Sequence, residues 1–265
     1  MRPCHRAVLI VLTLLSPRLV AAQALWVTPV TGKADLDVEW TRPTFDNITG
    51  LSEFRGVWVA SARARLGEKG ALIVAVPRFV GSEDDGFGNP YFGAQFYRPD
   101  GTSAFTLGLR VPTISTAGTS GRGVAFRGDF DRYEEAVADY VAFQAEGQGR
   151  AWHDSAGADV TVRGGFTLLH PTDRTFGAEN EFLFDYGVRF GHRWTRLEAT
   201  AALSGRFFMT GCCGSFTQRN ADQATFEFTW HAPITPRVGL RLPLTETPKN
   251  LYKSAVILGV SVPIE

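Results

Sequence analysis

The 265-residue sequence contains very little cysteine and no long apolar run beyond its N-terminal region. No later segment supplies the roughly 18 consecutive apolar residues that a membrane-spanning helix requires. Of the three cysteines, only the adjacent Cys212 and Cys213 follow the N-terminal region. Neighbouring cysteines close an unusually small ring, so we interpret them as two thiols or one strained disulfide without a role. A disulfide-built scaffold, a Cys-x-x-Cys redox motif and a zinc-binding spacing are excluded.

The chain also lacks an excess of charge of either sign, since 27 Lys and Arg residues balance 27 Asp and Glu residues. The first 22 residues contain three Arg and no acid, so the remainder carries 24 basic and 27 acidic residues, a net charge of −3. This balance gives no electrostatic reason to expect a nucleic acid partner. The histidines are scattered along the chain, and we expect neither a cofactor nor a metal site.

The N terminus itself carries a short apolar stretch behind two basic residues. Arg2 and Arg6 precede apolar residues 7–15, and small residues follow up to Ala22. This pattern is typical of a secretory signal peptide, and the stretch is too short to span a bilayer as a retained helix. We therefore predict a cleaved signal peptide over residues 1–22 and one exported domain over residues 23–265. A retained anchor is the alternative, but no stop-transfer pattern supports it.

From residue 34 to the C terminus, apolar and polar side chains alternate with a period of two. In the last run, Val256, Leu258 and Val260 share one parity, whereas Ala255 and Gly259 share the other. Such alternation indicates half-exposed β-strands and an all-β fold. The predicted strands cover residues 34–42, 56–66, 71–80, 91–98, 104–111, 158–169, 181–190, 194–207, 224–231, 237–242 and 252–264.

The connections between these strands are alternately short and long. The longer set covers residues 43–53, 81–89, 112–132, 170–180, 208–222 and 243–251, and the shorter set covers residues 67–70, 99–103, 146–149, 191–193 and 232–236. In membrane-spanning barrels, short turns face the periplasm and long loops face outward. Both ends of the chain are therefore predicted on the periplasmic side.

One further segment, residues 133–144, is ambiguous. Val137 and Tyr140 also fit a helical spacing, and Glu134 and Glu135 would suit the first turn of a helix. We count the segment as a strand because it brings the total to twelve, and single-chain bacterial barrels have even strand numbers. The resulting prediction is a transmembrane antiparallel up-and-down β-barrel of about 12 strands.

A soluble β-sandwich or a lipocalin-like barrel would show the same period with its apolar side turned inward. Two features favour the membrane: charged residues lie mid-strand opposite the apolar stripe, and aromatic residues cluster near strand ends. The predicted outer band includes Leu36, Ala62, Phe96, Leu107, Val162, Phe184, Phe228, Leu240 and Leu258. The predicted aromatic girdles comprise Trp40, Tyr97, Trp194, Trp230 and Tyr252.

The candidate functional residues come from the polar side of the strands, which is predicted to face the lumen. We expect a narrow or occluded interior, because wide aqueous channels belong to larger barrels. The candidate lumen-lining residues are Arg63, Arg65, Arg110, Arg163, Asp185, Arg189, Glu227 and Arg241. The long loop over residues 112–132 is a candidate external gate, since its glycines permit refolding into the mouth. The candidate gate residues are Gly118, Gly121, Gly123, Arg127 and Asp129. Structural ion pairs inside the barrel and a loop without a gating role are the alternatives.

Three short motifs resemble a known group of proteins. They are Gly-Asn-Pro-Tyr-Phe-Gly-Ala-Gln-Phe at residues 88–96, Leu-Gly-Leu-Arg-Val-Pro-Thr at residues 107–113 and Leu-Gly-Val-Ser-Val-Pro-Ile at residues 258–264. Together they are similar to outer-membrane transporter-like proteins grouped with the phenol meta-pathway family. The resemblance implies an outer-membrane barrel that passes small, apolar or aromatic compounds, and it carries over no catalytic residues. The chain departs from the usual pattern at its end, where Glu265 follows Ile264 in place of a terminal aromatic residue.

The sequence therefore predicts a channel or transporter for small solutes in the cell outer membrane of a Gram-negative-type bacterium. A structural or adhesive barrel and a lipid-modifying enzyme are the alternatives. An enzyme would need a nucleophile and a base within hydrogen-bond reach. The combinations to consider are Ser204 with Glu198 and His170 with Asp173. The expected partners are outer-membrane lipid and lipopolysaccharide, the barrel-assembly machinery and a small-molecule solute.

Overall fold

The computed structural model describes Trp26, Val30 and residues 32–45, 54–81, 85–113, 129–172, 179–210, 219–250 and 252–265. These residues form 13 β-strands, one 3₁₀ helix (Phe130–Glu135) and one short α-helix, α1 (Glu246–Lys249). The strands are β1 (Ala34–Thr44), β2 (Gly56–Leu66), β3 (Gly70–Val80), β4 (Gly86–Phe87), β5 (Tyr91–Tyr97), β6 (Ser103–Arg110), β7 (Tyr140–His153), β8 (Ala158–Pro171), β9 (Glu181–Arg193), β10 (Leu197–Phe208), β11 (Asn220–Trp230), β12 (Thr235–Pro243) and β13 (Ser254–Ile264). The predicted signal peptide and the pair Cys212 and Cys213 lie outside the described residues and stay predictions.

Twelve of these strands close into one barrel, and all their pairings are antiparallel. The first and last strands pair along their whole length, with Trp40 opposite Leu258. The pairing of β2 with β3 completes the ring. The remaining strand, β4, is a two-residue extension that pairs with the end of β3. The prediction of an up-and-down β-barrel with about 12 strands is confirmed.

The ambiguous segment over residues 133–144 is only partly a strand. The 3₁₀ helix Phe130–Glu135 takes up its first residues, so the helical alternative was correct there, and β7 begins only at Tyr140. Neither helix in the described part of the chain is long and apolar enough to cross a membrane.

The predicted short turn at residues 146–149 is wrong, because β7 continues through it and the turn lies at residues 154–157. In the structure Gly147 lies in the ladder, opposite Phe105 of β6 and Gly164 of β8. Pairing on both sides outweighs the weak strand propensity of glycine.

The connections divide the barrel into a turn end and a loop end. The turn end carries the connections at residues 67–69, 98–102, 154–157, 194–196 and 231–234. Three of these tight turns contain a glycine with positive φ, namely Gly67 at 66°, Gly101 at 69° and Gly157 at 101°. Glycine adopts this backbone conformation without steric cost. Strand β1 begins and β13 ends at the turn end, and the longer connections all lie at the loop end.

Large apolar side chains are exposed on the outer surface of every wall strand. In β1, Leu36 is 46% exposed, whereas the neighbouring Asp35 is 2% exposed. The other predicted band residues Phe96, Leu107, Val162, Phe184, Phe228, Leu240 and Leu258 are exposed, and Ala62 is half-buried. A water-soluble barrel would bury such side chains. The arrangement is that of a membrane-spanning barrel with an apolar outside and a polar inside.

Tryptophan side chains lie near both ends of this apolar surface. Trp194 and Trp230 are about half exposed at the turn end. Near the loop end Trp40 packs against Trp58, with 6.2 Å between the ring centroids. These positions are consistent with aromatic girdles at two membrane interfaces.

Two tyrosines predicted for the girdles point into the barrel, so that part of the prediction is wrong. Tyr97 is 6% exposed and its hydroxyl donates to the carbonyl of Gly70 at 3.1 Å. It has the same parity as the buried Gln95, which identifies it as an inward residue of β5. Tyr252 is 1% exposed because it precedes β13 and is turned inward by the helical turn of α1.

Candidate functional site

A short segment that follows the longest loop lies inside the barrel. It comprises residues 129–136 and is called the plug below. Asp129 caps its 3₁₀ helix, since the Asp131 N–H donates to Asp129 Oδ1 at 3.1 Å and the Arg132 N–H donates to the Asp129 carbonyl at 3.2 Å. Every plug side chain that the structure describes is buried. The plug therefore occupies the interior and is not a surface loop.

An apolar cluster seats each end of the plug. At one end Phe130 is 2% exposed. Its cluster comprises Phe130, Ala221, Tyr252 and Ala255. The cluster at the other end comprises Phe54, Val57, Val59, Phe79 and Ala136. Burying a side chain such as phenylalanine contributes roughly 1.5–3 kcal/mol, so these anchors hold the plug independently of its charges.

Buried ion pairs connect the first half of the plug to the wall. Each joins a plug residue to a different strand, namely β12, β8 and β1. The pairs are Asp129–Arg241 at 3.0 Å, Asp131–Arg163 at 3.0 Å and Arg132–Glu39. All six side chains are less than a tenth exposed. Removing one partner of such a pair costs about 3–5 kcal/mol, because the other charge is left buried and unpaired.

The second half of the plug places one carboxylate among three donors from three strands. Glu134 is 1% exposed and contacts Arg206 of β10 and Gln144 of β7. The Nε of Arg110, at the end of β6, lies 3.4 Å from the same carboxylate. Arg110, Gln144 and Arg206 are called the cradle below. Three donors from three wall strands therefore converge on this carboxylate.

The position of Arg110 depends on an aromatic ring that lies flat on the inner wall. The guanidinium carbon of Arg110 is 5.2 Å from the centre of the Tyr91 ring. That ring covers Gly93 and Gly108, and a Cβ atom on Gly108 would lie 2.0 Å from the Tyr91 hydroxyl oxygen. Glycine at both positions therefore lets the ring approach the wall and support the cation.

Asn89 fixes the C-terminal half of the plug through the backbone. Its Nδ2 donates to the carbonyls of Glu134 at 3.0 Å and Val137 at 2.7 Å, and its backbone N–H donates to the Glu135 carbonyl at 2.8 Å. Its Oδ1 accepts from the backbone N–H of Thr113 at 2.8 Å. Asn89 lies in the first of the three motifs, and this contact gives that motif a structural role.

The two neighbouring carboxyl groups of the plug differ in pKa. Burial works against ionisation of Glu134, but Arg206 and Arg110 outweigh it and hold its pKa below the ordinary value. For Glu135, burial outweighs the opposing effect of Arg110 and Arg132 and raises the pKa. Glu134 therefore stays ionised in mild acid, and Glu135 takes up a proton more readily.

Four of the residues predicted to line the lumen belong to this plug site. Arg110, Arg163 and Arg241 contact plug carboxylates directly. Asp185 of the neighbouring strand β9 contacts the cradle residue Arg206 at 2.6 Å.

The other four predicted lumen residues have different surroundings. Arg63 pairs with Asp35 at 2.8 Å, Arg189 pairs with Asp159 at 3.4 Å, and Glu227 is buried. Arg65 is exposed at the turn end, where its Nε donates to the Gly67 carbonyl at 2.9 Å. Arg65 is therefore a turn residue and is not part of the inner surface.

Of the five candidate gate residues, the structure describes only Asp129. Asp129 lies in the plug, as described above. Gly118, Gly121, Gly123 and Arg127 lie outside the described residues, and their role stays a prediction.

Sequence reasoning missed several residues of the site, among them Arg206, Gln144 and Asn89. Arg206 has the inward parity of Ser204 in β10, and the same rule that identified Arg163 would have found it. No comparable signal was available for Asn89, because its contacts are made by a loop.

A cavity of about 120 Å³ adjoins the plug. Trp26, which is 2% exposed, borders this cavity. The guanidinium carbons of Arg163 and Arg189 lie over its ring, 5.2 and 5.6 Å from the ring centre. The nearby Val30 is buried against the turn end of the wall. The cavity therefore lies between the plug and the N-terminal segment. It is smaller than the roughly 300–1,000 Å³ of ordinary ligand pockets.

Of the residue pairs considered for catalysis, the pair of Ser204 with Glu198 does not form, because each side chain has a different partner. The Ser204 hydroxyl contacts Asp131 of the plug, whereas Glu198 pairs with His231 at 2.9 Å. His170 contacts Asn180 at 2.8 Å through Nδ1. Its proposed partner Asp173 lies outside the described residues.

No protein-family model matches the chain, and no curated protein matches it. Solved structures of bacterial barrels do share its fold. An outer-membrane channel from Pseudomonas putida F1 is 14% identical, with a TM-score of 0.58 over 92% of this chain and 99% of that chain. The NanC porin is 8% identical, with a TM-score of 0.54 over 87% of this chain and 100% of that chain.

The translocator domain of the autotransporter NalP from Neisseria meningitidis has the same architecture. It is 12% identical, with a TM-score of 0.54 over 98% of each chain. At these identities the likenesses show the fold alone, and the fold is that of outer-membrane barrels with more than one activity.

Proposed function

We propose that the chain is an outer-membrane channel for small, apolar or weakly polar solutes and that the plug closes it. The observation that supports this most directly is that the plug, which is not part of any wall strand, fills the barrel interior. All twelve wall strands pair with their neighbours without the plug. Withdrawal of residues 129–136 toward the loop end would therefore open the interior and leave the barrel intact.

The shared fold is compatible with this function, since two of the solved structures described above are a porin and an outer-membrane channel. A permanently closed structural barrel is the second candidate. The feature that favours it is the anchoring of the plug, by an apolar cluster at each end and by ion pairs between them. The two candidates differ in whether the plug ever leaves its site.

The proposal also places the exposed apolar band in outer-membrane lipid and lipopolysaccharide, after export and insertion by the barrel-assembly machinery. No catalytic step is part of it. The exposed apolar side chains on every wall strand and the tryptophans at both ends support this placement.

Conductance in planar bilayers tests the channel function. The informative variant replaces residues 114–138 by a short Gly-Ser linker and so removes the plug. The control variant deletes residues 116–123 alone and keeps the plug. Heat-modifiable gel migration checks that each protein is a folded barrel before it is measured.

We expect a low open probability for the unmodified protein and the control, and a several-fold higher conductance for the plugless variant. Equal impermeability of all three folded proteins to ions and to small uncharged solutes would contradict the channel and favour the structural barrel.

A further inference from the structure

The contacts of Glu134 describe a binding site for a carboxylate. The cradle holds this group with two guanidinium groups and one amide, each from a different wall strand. The site is almost fully shielded from solvent, with Arg206 2% and Arg110 5% exposed. Charge-assisted hydrogen bonds in such surroundings are about twice as strong as neutral ones.

Without the plug, the wall carries an excess of positive charge at this position. Arg110 and Arg206 are both ionised, and the wall carboxylate Asp185 lies 2.6 Å from Arg206. The neighbouring wall residues Arg163 and Glu146 pair with each other at 3.3 Å and add no net charge. Glu135 also pairs with Arg110, at 3.0 Å, but it belongs to the plug and leaves with it. Two guanidinium groups and one carboxylate leave an excess of one positive charge. One monovalent carboxylate would neutralise it.

The space next to the cradle has an apolar side. Val59 of β2 and Ile73 of β3 line the same cavity as the cradle, and they are 5% and 9% exposed. The ring of Tyr91 lies between this surface and Arg110. A small solute could therefore place its acid group in the cradle and its carbon skeleton against these side chains.

We propose that the cradle is a binding site for the carboxylate of a small monocarboxylic acid with an apolar body, and that Glu134 occupies it as an internal substitute when the barrel is closed. This deepens the proposed function, because a solute of this class would compete with the plug for the same donors. The exchange involves no covalent step: one carboxylate replaces another on the same two guanidinium groups.

Chemical rescue tests the cradle without relying on conductance. Glu134→Ala deletes the atoms of an acetate group, so acetate is the matched probe and acetamide is its uncharged control. We expect the substitution to lower the unfolding temperature, read from heat-modifiable migration, by about 10 °C. Acetate should restore at least half of that loss and acetamide none, because a ligand that binds the folded state stabilises it.

Two further variants sharpen the readout. Glu68→Ala makes the same chemical change in the exposed turn after β2, and its unfolding temperature should respond to neither probe. Adding Gln144→Ala to Glu134→Ala should raise the acetate concentration for half-maximal rescue by about tenfold, since one hydrogen bond to a charged group is lost. If Glu134→Ala folds only during refolding in acetate, and not in acetamide, that result counts as rescue.

Equal effects of acetate and acetamide on Glu134→Ala would overturn the carboxylate site. In bilayers, acetate should raise the open probability of the unmodified protein relative to chloride at equal ionic strength, and acetamide should not. Rescue without this rise would overturn the competition between solute and plug. If even the plugless variant does not conduct, the channel function fails, and the rescue experiment still decides whether the cradle binds a carboxylate.

Discussion

Replacing Phe130 by alanine should release the plug without weakening the barrel wall. Phe130 is 2% exposed, and its apolar partners Ala221, Tyr252 and Ala255 belong to the wall and to a loop. Deleting a buried phenylalanine ring costs about 3–5 kcal/mol. The interstrand pairings do not involve this ring, so the loss falls on docking of the plug.

The size of this loss sets the expected change in gating. A cost of about 3 kcal/mol shifts the equilibrium between docked and released plug by roughly a hundredfold. The assay is the open probability of single channels in planar bilayers, measured beside the unfolding temperature of the same preparation. Phe228→Ala is the matched control, because Phe228 is 53% exposed on the lipid side of β11. It should leave the open probability unchanged.

One result would refute the reasoning. If Phe130→Ala lowers the unfolding temperature but opens the channel no more often than Phe228→Ala does, the plug unfolds together with the wall. It would then be a structural part of the barrel and not a gate.

Three further predictions address the membrane, the charges and the leader. Leu107→Arg, on the lipid side of β6, should destabilise the folded barrel by ~2–4 kcal/mol in reversible unfolding, and an unchanged stability would contradict the orientation of that strand. Lowering the pH from 7 to 5 should not raise the open probability. The pKa values of Glu134 and Asp129 lie below the ordinary 4.5 and 3.8, because their arginine partners outweigh burial. The ion pairs that these two carboxylates contribute to plug docking are therefore lost only at lower pH. Mass spectrometry of the outer-membrane form should find an N terminus near Gln23, and an intact Met1 would refute cleavage.

The wall of the barrel could be predicted from the sequence because its signal is repeated in every strand. The parity that separates Leu36 from Asp35 recurs around the whole ring, and lipid on one side fixes which parity is outside. The same parity predicts an inward direction for Arg110 and Arg163, and both side chains are buried in the structure. Arg65 lies instead at the turn end, because parity loses its meaning where a strand runs into a turn.

The plug could not be predicted because it has no period of its own. Its residues 129–132 were assigned to the gate loop, and its residues 133–136 were counted into a strand to make the strand number even. That strand begins only at Tyr140. Its six-residue 3₁₀ helix is stabilised by contacts with residues distant in the chain, such as Arg206 and Gln223. Such tertiary contacts leave no local pattern, and the pairing of Glu134 with the cradle follows only from the closed barrel.

The contacts of Glu39 have a consequence for how the barrel folds. This side chain, on the first strand, contacts Arg237 of β12 at 2.8 Å, a residue 198 positions away, and also Arg132 of the plug. Contacts between such distant residues form late, because a long stretch of chain must be ordered before they repay the entropy of closing it. The Glu39 carboxylate thus contacts Arg237 across the seam between the first and last strands and also contacts the plug. We therefore expect it to gain its full set of partners only after the seam has closed, late in folding.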